Sequence, residues 1–127
     1  MSNPSKQRGS AFESGLVKYL RELGHDAERL ALRGARDEGD LILRRNGIET
    51  PAGLIGPRRF VIEAKATARL DLAGWIAQAQ VERDNYEQHR DLPPGSVFYV
   101  VVHKRRQHGT GKAYVTLPLD EWLRQTA

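Results

Sequence analysis

The sequence contains no cysteine, which excludes disulfides, thiolate metal sites and cysteine nucleophiles together. It has no apolar run near the ~18 residues that a membrane-spanning helix needs, and its first ten residues lack the apolar segment of a secretory signal. It also lacks the Gly-x-Ser-x-Gly element that carries a nucleophilic serine. Its 127 residues are 39% hydrophobic and 28% charged, so we expect one folded intracellular domain and no membrane association.

Acidic residues are missing from one long stretch, Leu92 to Leu119. The whole chain has a net charge of +4 and a pI near 9.7. A basic segment that contains Gly109 and Gly111 suits a loop that grips a polyanion, but it also suits a merely solvated loop. The basic residues of this stretch that we consider for binding are Lys104, Arg105, Arg106 and Lys112.

The same loop contains His108-Gly109-Thr110-Gly111-Lys112, which superficially resembles a phosphate-binding loop. The Walker pattern requires glycine at 106 and serine or threonine at 113, where this chain has arginine and alanine. We therefore expect no nucleotide cofactor.

Hydrophobic periodicity predicts an α-β-β-β-α-β order followed by a β-α pair, which is typical of an α/β fold with a mixed central sheet flanked by helices. Ser10 and Glu13 match a capping box, and Gly24 matches a helix stop. We read residues 1–9 as a flexible basic arm and 10–127 as a single domain. The predicted helices cover 10–23, 71–89 and 119–125; the predicted strands cover 26–32, 40–44, 60–66, 97–102 and 113–117; and 48–59 is predicted to be irregular.

Acidic residues on predicted strands are the most informative feature. Glu63 and Lys65 lie two positions apart in 60–66, so they share one strand face. Burying such charges is costly unless partners or a metal compensate. Asp40 opens the preceding strand, and a hairpin across the irregular segment would bring it beside Glu63. Without that pairing, Glu63 and Lys65 could be an ordinary solvated pair at a sheet edge.

Two neighbouring carboxylates repel each other unless a divalent cation lies between them. Oxygen ligands without cysteine or clustered histidine favour Mg²⁺ or Mn²⁺ over zinc. Lys65 would point from the same strand face toward an attacking water and a phosphate oxygen. Asp40, Glu63 and Lys65 together therefore predict phosphodiester hydrolysis.

This arrangement resembles the PD-(D/E)XK nuclease superfamily, with Glu63-Ala64-Lys65 as the (D/E)XK element and Gly39 in place of the proline. The opening segment Arg8–Glu13 is similar to archaeal-type Holliday junction resolvases, as are Leu16, Val17, Leu20, Gly24 and Ala27–Arg29. Gly34–Asp40, Ala68–Leu72 and His103–Arg106 are similar to small resolvase-like endonucleases of phages that infect actinobacteria. The resemblance covers about residues 8–117.

The resemblance implies a restriction-endonuclease-like fold and a role for each matched residue. Asp40 and Glu63 would bind Mg²⁺, for which Mn²⁺ would substitute, and the Ala64 carbonyl and Glu13 would assist. Lys65 would orient or activate water. A helix glutamine, either Gln78 or Gln80, would complete the site. Arg33 stands near the family's serine turn, where a hydroxyl role is lost. The implied DNA-binding residues are Arg8, Arg33, Arg36, Lys104, Arg105, Arg106 and Lys112.

The implied activity is resolution of four-way DNA junctions by a cytoplasmic, DNA-associated enzyme, in the host cell if the chain is phage-encoded. A junction is two-fold symmetric, so a homodimer is expected. The apolar 97–102 segment and the 72–86 helix are candidate interface surfaces. Two alternatives stay open: a nicking, flap or restriction-like endonuclease with the same chemistry, and a non-catalytic DNA-binding protein.

Overall fold

A five-stranded mixed sheet forms the centre of the computed structural model, which describes residues 4–31 and 37–127. The helices are α1 (Pro4–Glu22), α2 (Leu72–His89) and α3 (Leu119–Gln125), with a short 3-10 turn at Thr110–Lys112. The strands are β1 (Asp26–Arg29), β2 (Leu41–Arg45), β3 (Ile48–Thr50), β4 (Gly53–Ile55), β5 (Arg58–Lys65), β6 (Phe98–His103) and β7 (Tyr114–Thr116). The predicted α/β class with a mixed, helix-flanked sheet is confirmed.

The first helix begins earlier than its sequence signals predict. It starts at Pro4, a residue favoured in the first helical turn because its missing N–H needs no partner there. Residues 4–9, expected as an arm, are therefore helical, and Ser10 lies inside the helix. The capping-box interpretation is wrong, because an interior serine has no unpaired helix terminus to cap. The predicted stop is confirmed by the positive φ of Gly24, +89°.

The sheet order is β1-β2-β5-β6-β7, in which β5 and β6 are parallel and the other neighbours antiparallel. β2 and β5 pair across the segment that was expected to be irregular, with Leu41 opposite Ile62. That segment is not wholly irregular, since β3 and β4 form a small separate hairpin within it. The predicted β2–β5 hairpin is confirmed.

The two faces of the sheet are covered by different helices. Phe12 and Leu16 of α1 pack with Leu41, Ile62 and other buried residues on one face. On the other face, α2 contributes Trp75, Ala79 and Tyr86 to two further clusters. Side chains alternate along β5. Ile62 and Ala64 therefore face α1, whereas Val61, Glu63 and Lys65 face α2.

The position of β6 corrects an expectation about the dimer surface. Its core residues Val100 and Val101 are 9% and 0% exposed, so most of the strand is interior and cannot form an interface. Exposed large apolar side chains lie on β7 and α3 instead, and we refer to them together as the exposed apolar patch: Tyr114, Val115, Leu119, Trp122 and Leu123. Sequence hydrophobicity alone does not distinguish an interior strand from an interface strand.

Candidate active site

Asp40 is held against the end of β5 by its backbone and its side chain. Its backbone N–H donates to the Ile62 carbonyl at 3.1 Å. Its Oδ2 accepts a hydrogen bond from the Ala64 N–H at 2.8 Å. The carboxylate therefore lies at the centre of the Glu63-Ala64-Lys65 element, as the sequence predicts.

Gly39 explains how the chain approaches β5 so closely. Its φ is +103°, in the region that residues with a side chain rarely adopt. A Cβ at this position would lie 2.7 Å from Val61 Cγ1, which is a steric overlap. Proline, the residue of the family name, has a fixed φ near −65° and cannot adopt this conformation. Glycine at position 39 therefore meets a local backbone requirement.

The segment just before Asp40 is anchored to the C-terminal end of α2. The Asn85 amide donates to the Asp37 carbonyl at 2.7 Å. Glu38 is 1% exposed, and its Oε2 lies 2.6 Å from His89 Nδ1 and 2.5 Å from Arg90 Nη1. Burial alone would raise the pKa of Glu38, but hydrogen bonds and charge from Arg90 and His89 lower it overall. A charged anchor therefore fixes this turn, and with it Asp40.

Lys65 lies between a carboxylate on its own strand and an amide on α2. Its Nζ is 3.1 Å from Glu63 Oε1 and donates to Gln78 Oε1 at 3.0 Å. Gln80 instead donates to the Tyr99 hydroxyl at 2.8 Å, away from the site. Helix positions two apart differ by about 200° in direction. Gln78 is therefore the helix glutamine at this site, and Gln80 is not.

Glu82 belongs to the site and was missed by sequence reasoning. It is 2% exposed, and its Oε1 accepts a hydrogen bond from Gln78 Nε2 at 2.7 Å. One signal was available in the sequence: Glu82 falls on the buried row of α2 with Trp75, Ala79 and Tyr86. An acid in an apolar row is unusual unless it has partners.

The buried carboxyl groups have raised pKa values. Burial, then repulsion from Glu63, raises the pKa of Asp40 to about 8, against the opposing effect of the Ala64 N–H. Burial and the neighbouring Glu82 raise the pKa of Glu63 to about 9, and burial also raises that of Glu82. Glu63 Oε2 and Glu82 Oε2 have no donor among the described residues when both groups are ionised. The effect of Glu82 on the pKa of Glu63 shows that these two buried carboxyl groups are neighbours.

Glu13 approaches the same site from α1. Its charge and a hydrogen bond contribute to the raised pKa of Asp40, so the two carboxyl groups are neighbours. Arg29 Nη2 also lies 2.5 Å from Glu13 Oε2. The structure thus brings Glu13 to Asp40, but with its negative charge partly engaged by an arginine of β1.

The donor set fits a divalent cation with few protein ligands. No group of three or more acidic or histidine side chains is already arranged to hold a metal within residues 4–31 and 37–127. Mg²⁺ does not need such a cage, because it commonly binds one or two carboxylates and keeps several waters. Asp40 and Glu63 supply two neighbouring carboxylates. The buried Glu63 Oε2 is an acceptor without a hydrogen-bond donor among the described residues. These residues fit Mg²⁺ or Mn²⁺.

A basic groove of about 630 Å³ opens beside the site and includes Ala64 and Lys65 in its wall. Its other charged lining residues are Arg8 of α1, Lys104 and Arg106. Arg105 instead lies over the Tyr114 ring, 5.6 Å from its centroid, so it belongs to a different surface.

Lys112 is the other predicted DNA-binding residue within 4–31 and 37–127, and it is not in the lining of this groove. Lys112 is exposed at the end of the 3-10 turn. Arg33 and Arg36 lie outside the described residues.

Comparison of the chain with known protein families, with curated proteins and with solved structures gives no match in any of the three. Over the part of the chain that the structure describes, no helix is both long and apolar enough to cross a membrane. The geometry of the site is therefore the basis for a functional proposal.

Proposed function

We propose that this protein is a Mg²⁺-dependent DNA endonuclease of the PD-(D/E)XK type. The observation that carries the proposal is the 2.8 Å hydrogen bond from the Ala64 N–H to Asp40 Oδ2. This bond brings together the two acids and the lysine that the sequence resemblance pairs. Glu63 and Lys65 share the α2-facing side of β5 next to it.

Each residue has a chemical task in this proposal. Mg²⁺ held by Asp40 and Glu63, with help from the Ala64 carbonyl and Glu13, would polarise the phosphodiester and favour ionisation of the attacking water. Lys65 orients that water or offsets negative charge on the phosphate as the transition state develops. Gln78 holds the Lys65 ammonium through its 3.0 Å hydrogen bond.

The basic groove supports a nucleic-acid substrate. Arg8, Lys104 and Arg106 line this groove together with Lys65, so a phosphate backbone bound in it would lie next to the site. We propose that the preferred substrate is a four-way DNA junction. The active form would be a homodimer that associates with DNA in the cytoplasm. The exposed apolar patch of β7 and α3 supplies a surface for a second copy.

A cleavage assay tests the proposal directly. Purified protein is incubated with a synthetic immobile four-way junction, a flap and a linear duplex, each with Mg²⁺ and with a chelator. Mg²⁺-dependent incision of the junction at matched positions is expected. If the flap or the duplex were cut faster than the junction, the protein would instead be a nicking, flap or restriction-like endonuclease. Tight binding without cleavage of any substrate would leave only a DNA-binding role.

Site variants connect the activity to the geometry. Asp40→Asn, Glu63→Gln and Lys65→Ala should each abolish detectable cleavage while junction binding persists. Glu22→Gln is the matched control, because this exposed acid only approaches Lys18 at 4.0 Å on the α1 surface. If the Glu63→Gln protein cleaved the junction at the parental rate, the catalytic role assigned to Glu63 would be wrong.

A further inference from the structure

Glu82 is a buried acid for which α2 packing supplies no reason. The helix row that covers the sheet includes Trp75, Ala79 and Tyr86, and an apolar side chain would fit this row at position 82. Glu82 is 2% exposed, so its carboxyl is removed from water. Such burial is costly unless the group has a specific polar task.

The contacts of Glu82 form one end of a hydrogen-bonded chain. Gln78 Nε2 donates to Glu82 Oε1 at 2.7 Å, and Lys65 Nζ donates to Gln78 Oε1 at 3.0 Å. Lys65 Nζ in turn lies 3.1 Å from Glu63 Oε1. The chain therefore runs from α2 to the (D/E)XK element of β5.

The chemistry of an amide makes the order of this chain significant. The nitrogen of a glutamine side chain only donates hydrogen bonds, and its oxygen only accepts them. Because Glu82 offers only an acceptor to Gln78, it selects the amide orientation in which the Gln78 nitrogen faces Glu82 and the oxygen faces Lys65. The reversed amide would present N–H groups to the ammonium and lose both bonds.

The other end of Glu82 reaches the approach to Asp40. A Cβ on Gly39 would lie 3.4 Å from Glu82 Oε2, so this oxygen packs against the backbone that leads into Asp40. Glu82 thus contacts the turn before one proposed metal ligand and, through Gln78, the lysine next to the other.

We propose that Glu82 is a positioning residue that orients the Gln78 amide and thereby holds the Lys65 ammonium in place for catalysis. The catalytic part of this inference rests on the proposed function, but the orientation of Gln78 does not. Loss of such a supporting group typically lowers activity by about 10- to 100-fold.

Two substitutions of similar size separate positioning from packing. Glu82→Gln has nearly the same shape and retains an oxygen that accepts from Gln78. Glu82→Met fills similar space but offers Gln78 no comparable acceptor. We therefore expect Glu82→Gln to keep the rate within about threefold of the parent and Glu82→Met to lose about 10- to 100-fold.

Glu87→Met is the matched control on the same helix. Glu87 is also buried, at 3% exposed, but it accepts hydrogen bonds from the Gly95 and Val97 N–H groups, away from the site. This substitution should lower the melting temperature and leave the cleavage rate of the folded protein within about threefold. A loss equal to that of Glu82→Met would show that general destabilisation explains the result and would overturn the proposal.

Two readouts are measured on every variant. The first is the Gln78 side-chain amide signal in ¹⁵N–¹H spectra of metal-free protein, assigned by its absence in Gln78→Ala. The second is the single-turnover cleavage rate on the four-way junction at saturating protein. The amide signal should be near its parental position in Glu82→Gln and Glu87→Met, and should shift in Glu82→Met.

Positioning requires the signal and the rate to change together in Glu82→Met. An unchanged signal, an unchanged rate, or an equal loss of rate in Glu82→Gln overturns it, the last because charge would then matter more than orientation. If the parental protein cleaves none of the substrates, the proposed function fails. The amide signal still decides in that case whether Glu82 orients Gln78.

Discussion

The Asp40 carboxylate accepts a hydrogen bond from the backbone N–H of Ala64, a residue 24 positions later in the chain. The donor is part of β5 and cannot rotate away, so the orientation of the carboxylate is set by the sheet itself. The same carboxylate has a raised pKa because it is buried beside Glu63. Geometry that is fixed in advance and charge that is unfavourable without a cation are together typical of a metal site.

The stability of the metal-free protein should fall as the pH rises. The pKa values of Asp40 and Glu63 are about 8 and about 9 in the folded protein, above their ordinary values of 3.8 and 4.5. The folded state therefore retains protons that the unfolded state releases. This contribution is complete below about pH 4 and is lost as the pH rises to about 9. Thermal unfolding in chelator between pH 5 and 9 measures it.

The double variant Asp40→Asn, Glu63→Gln is the control for this pH dependence. It should reduce the decline in melting temperature, because neither replacement ionises, and Glu82, whose pKa burial also raises, accounts for part of what remains. Buried His103 has a lowered pKa and acts in the opposite direction, with stability lost as the pH falls below its ordinary value of 6.5. A double variant with the parental slope would assign the pH dependence to other groups.

Mg²⁺ and Mn²⁺ should stabilise the parental protein at pH 8 without any DNA present. A ligand that binds only the folded state raises the melting temperature as its concentration exceeds its Kd. Differential scanning fluorimetry should show a saturable increase that Asp40→Asn and Glu63→Gln both remove. Glu22→Gln should retain the full increase. If neither ion changed the melting temperature of the parental protein, the result would contradict a metal site at these carboxylates.

Gly39→Ala should destabilise the fold more than Gly24→Ala does. Both glycines have a positive φ, at +103° and +89°, and a left-handed conformation costs a residue with a side chain about 1–2 kcal/mol. Only position 39 adds a steric overlap, 2.7 Å from Val61 Cγ1, whereas a Cβ at 24 has nothing within 4 Å. Urea unfolding should show an additional loss of about 1–3 kcal/mol for Gly39→Ala. Equal losses would mean that the turn at position 39 or the Val61 side chain shifts and relieves the overlap.

Removing the groove cations should weaken DNA binding and its dependence on salt. Lys104→Ala and Arg106→Ala should each reduce the magnitude of the log–log salt slope by about 0.9 if each contacts one phosphate. Arg105→Ala is the control, since Arg105 packs over Tyr114 outside the groove. Fluorescence anisotropy with a labelled junction at several salt concentrations measures the slopes. A larger effect from Arg105→Ala would place the DNA on the β7 surface instead.

Trp122→Glu should convert a dimer to a monomer if the exposed apolar patch joins two copies. Trp122 is 51% exposed on α3, so its replacement should not disturb the core. Light scattering coupled to gel filtration should give twice the 14.3 kDa chain mass for the parent and one chain mass for the variant. Val81→Glu on α2 is the control, being similarly exposed at 59% but outside the patch. A monomeric parental protein would exclude this role for the patch.

The strands that hold the site could be predicted because their patterns are local. Residues 60–66 combine strand periodicity with Glu63 and Lys65 on one face, and Asp40 opens the preceding predicted strand, which pairs with β5 in the structure. The closing helix at 119–125 and the α2 helix also agree with their sequence spacing. Local periodicity does not require knowledge of any distant segment.

The start of α1 could not be predicted from its capping signals. The spacing of Ser10 and Glu13 matches a capping box whether or not a helix begins there. In the structure the helix begins at Pro4, so Ser10 is an interior residue. The competition between two possible helix starts is decided by small energy differences along the whole helix and its packing. A single four-residue signature does not contain that information.

By itself, the sequence determined which residues could carry the chemistry: Asp40, Glu63 and Lys65, of which period-two alternation places Glu63 and Lys65 on one strand face. Only the tertiary structure decided that Gln78 rather than Gln80 joins them and that Glu82 completes the chain. The physical reason is that the rotation of α2 about its axis is set by how Trp75, Ala79 and Tyr86 pack on the sheet. That rotation depends on contacts between segments far apart in the sequence.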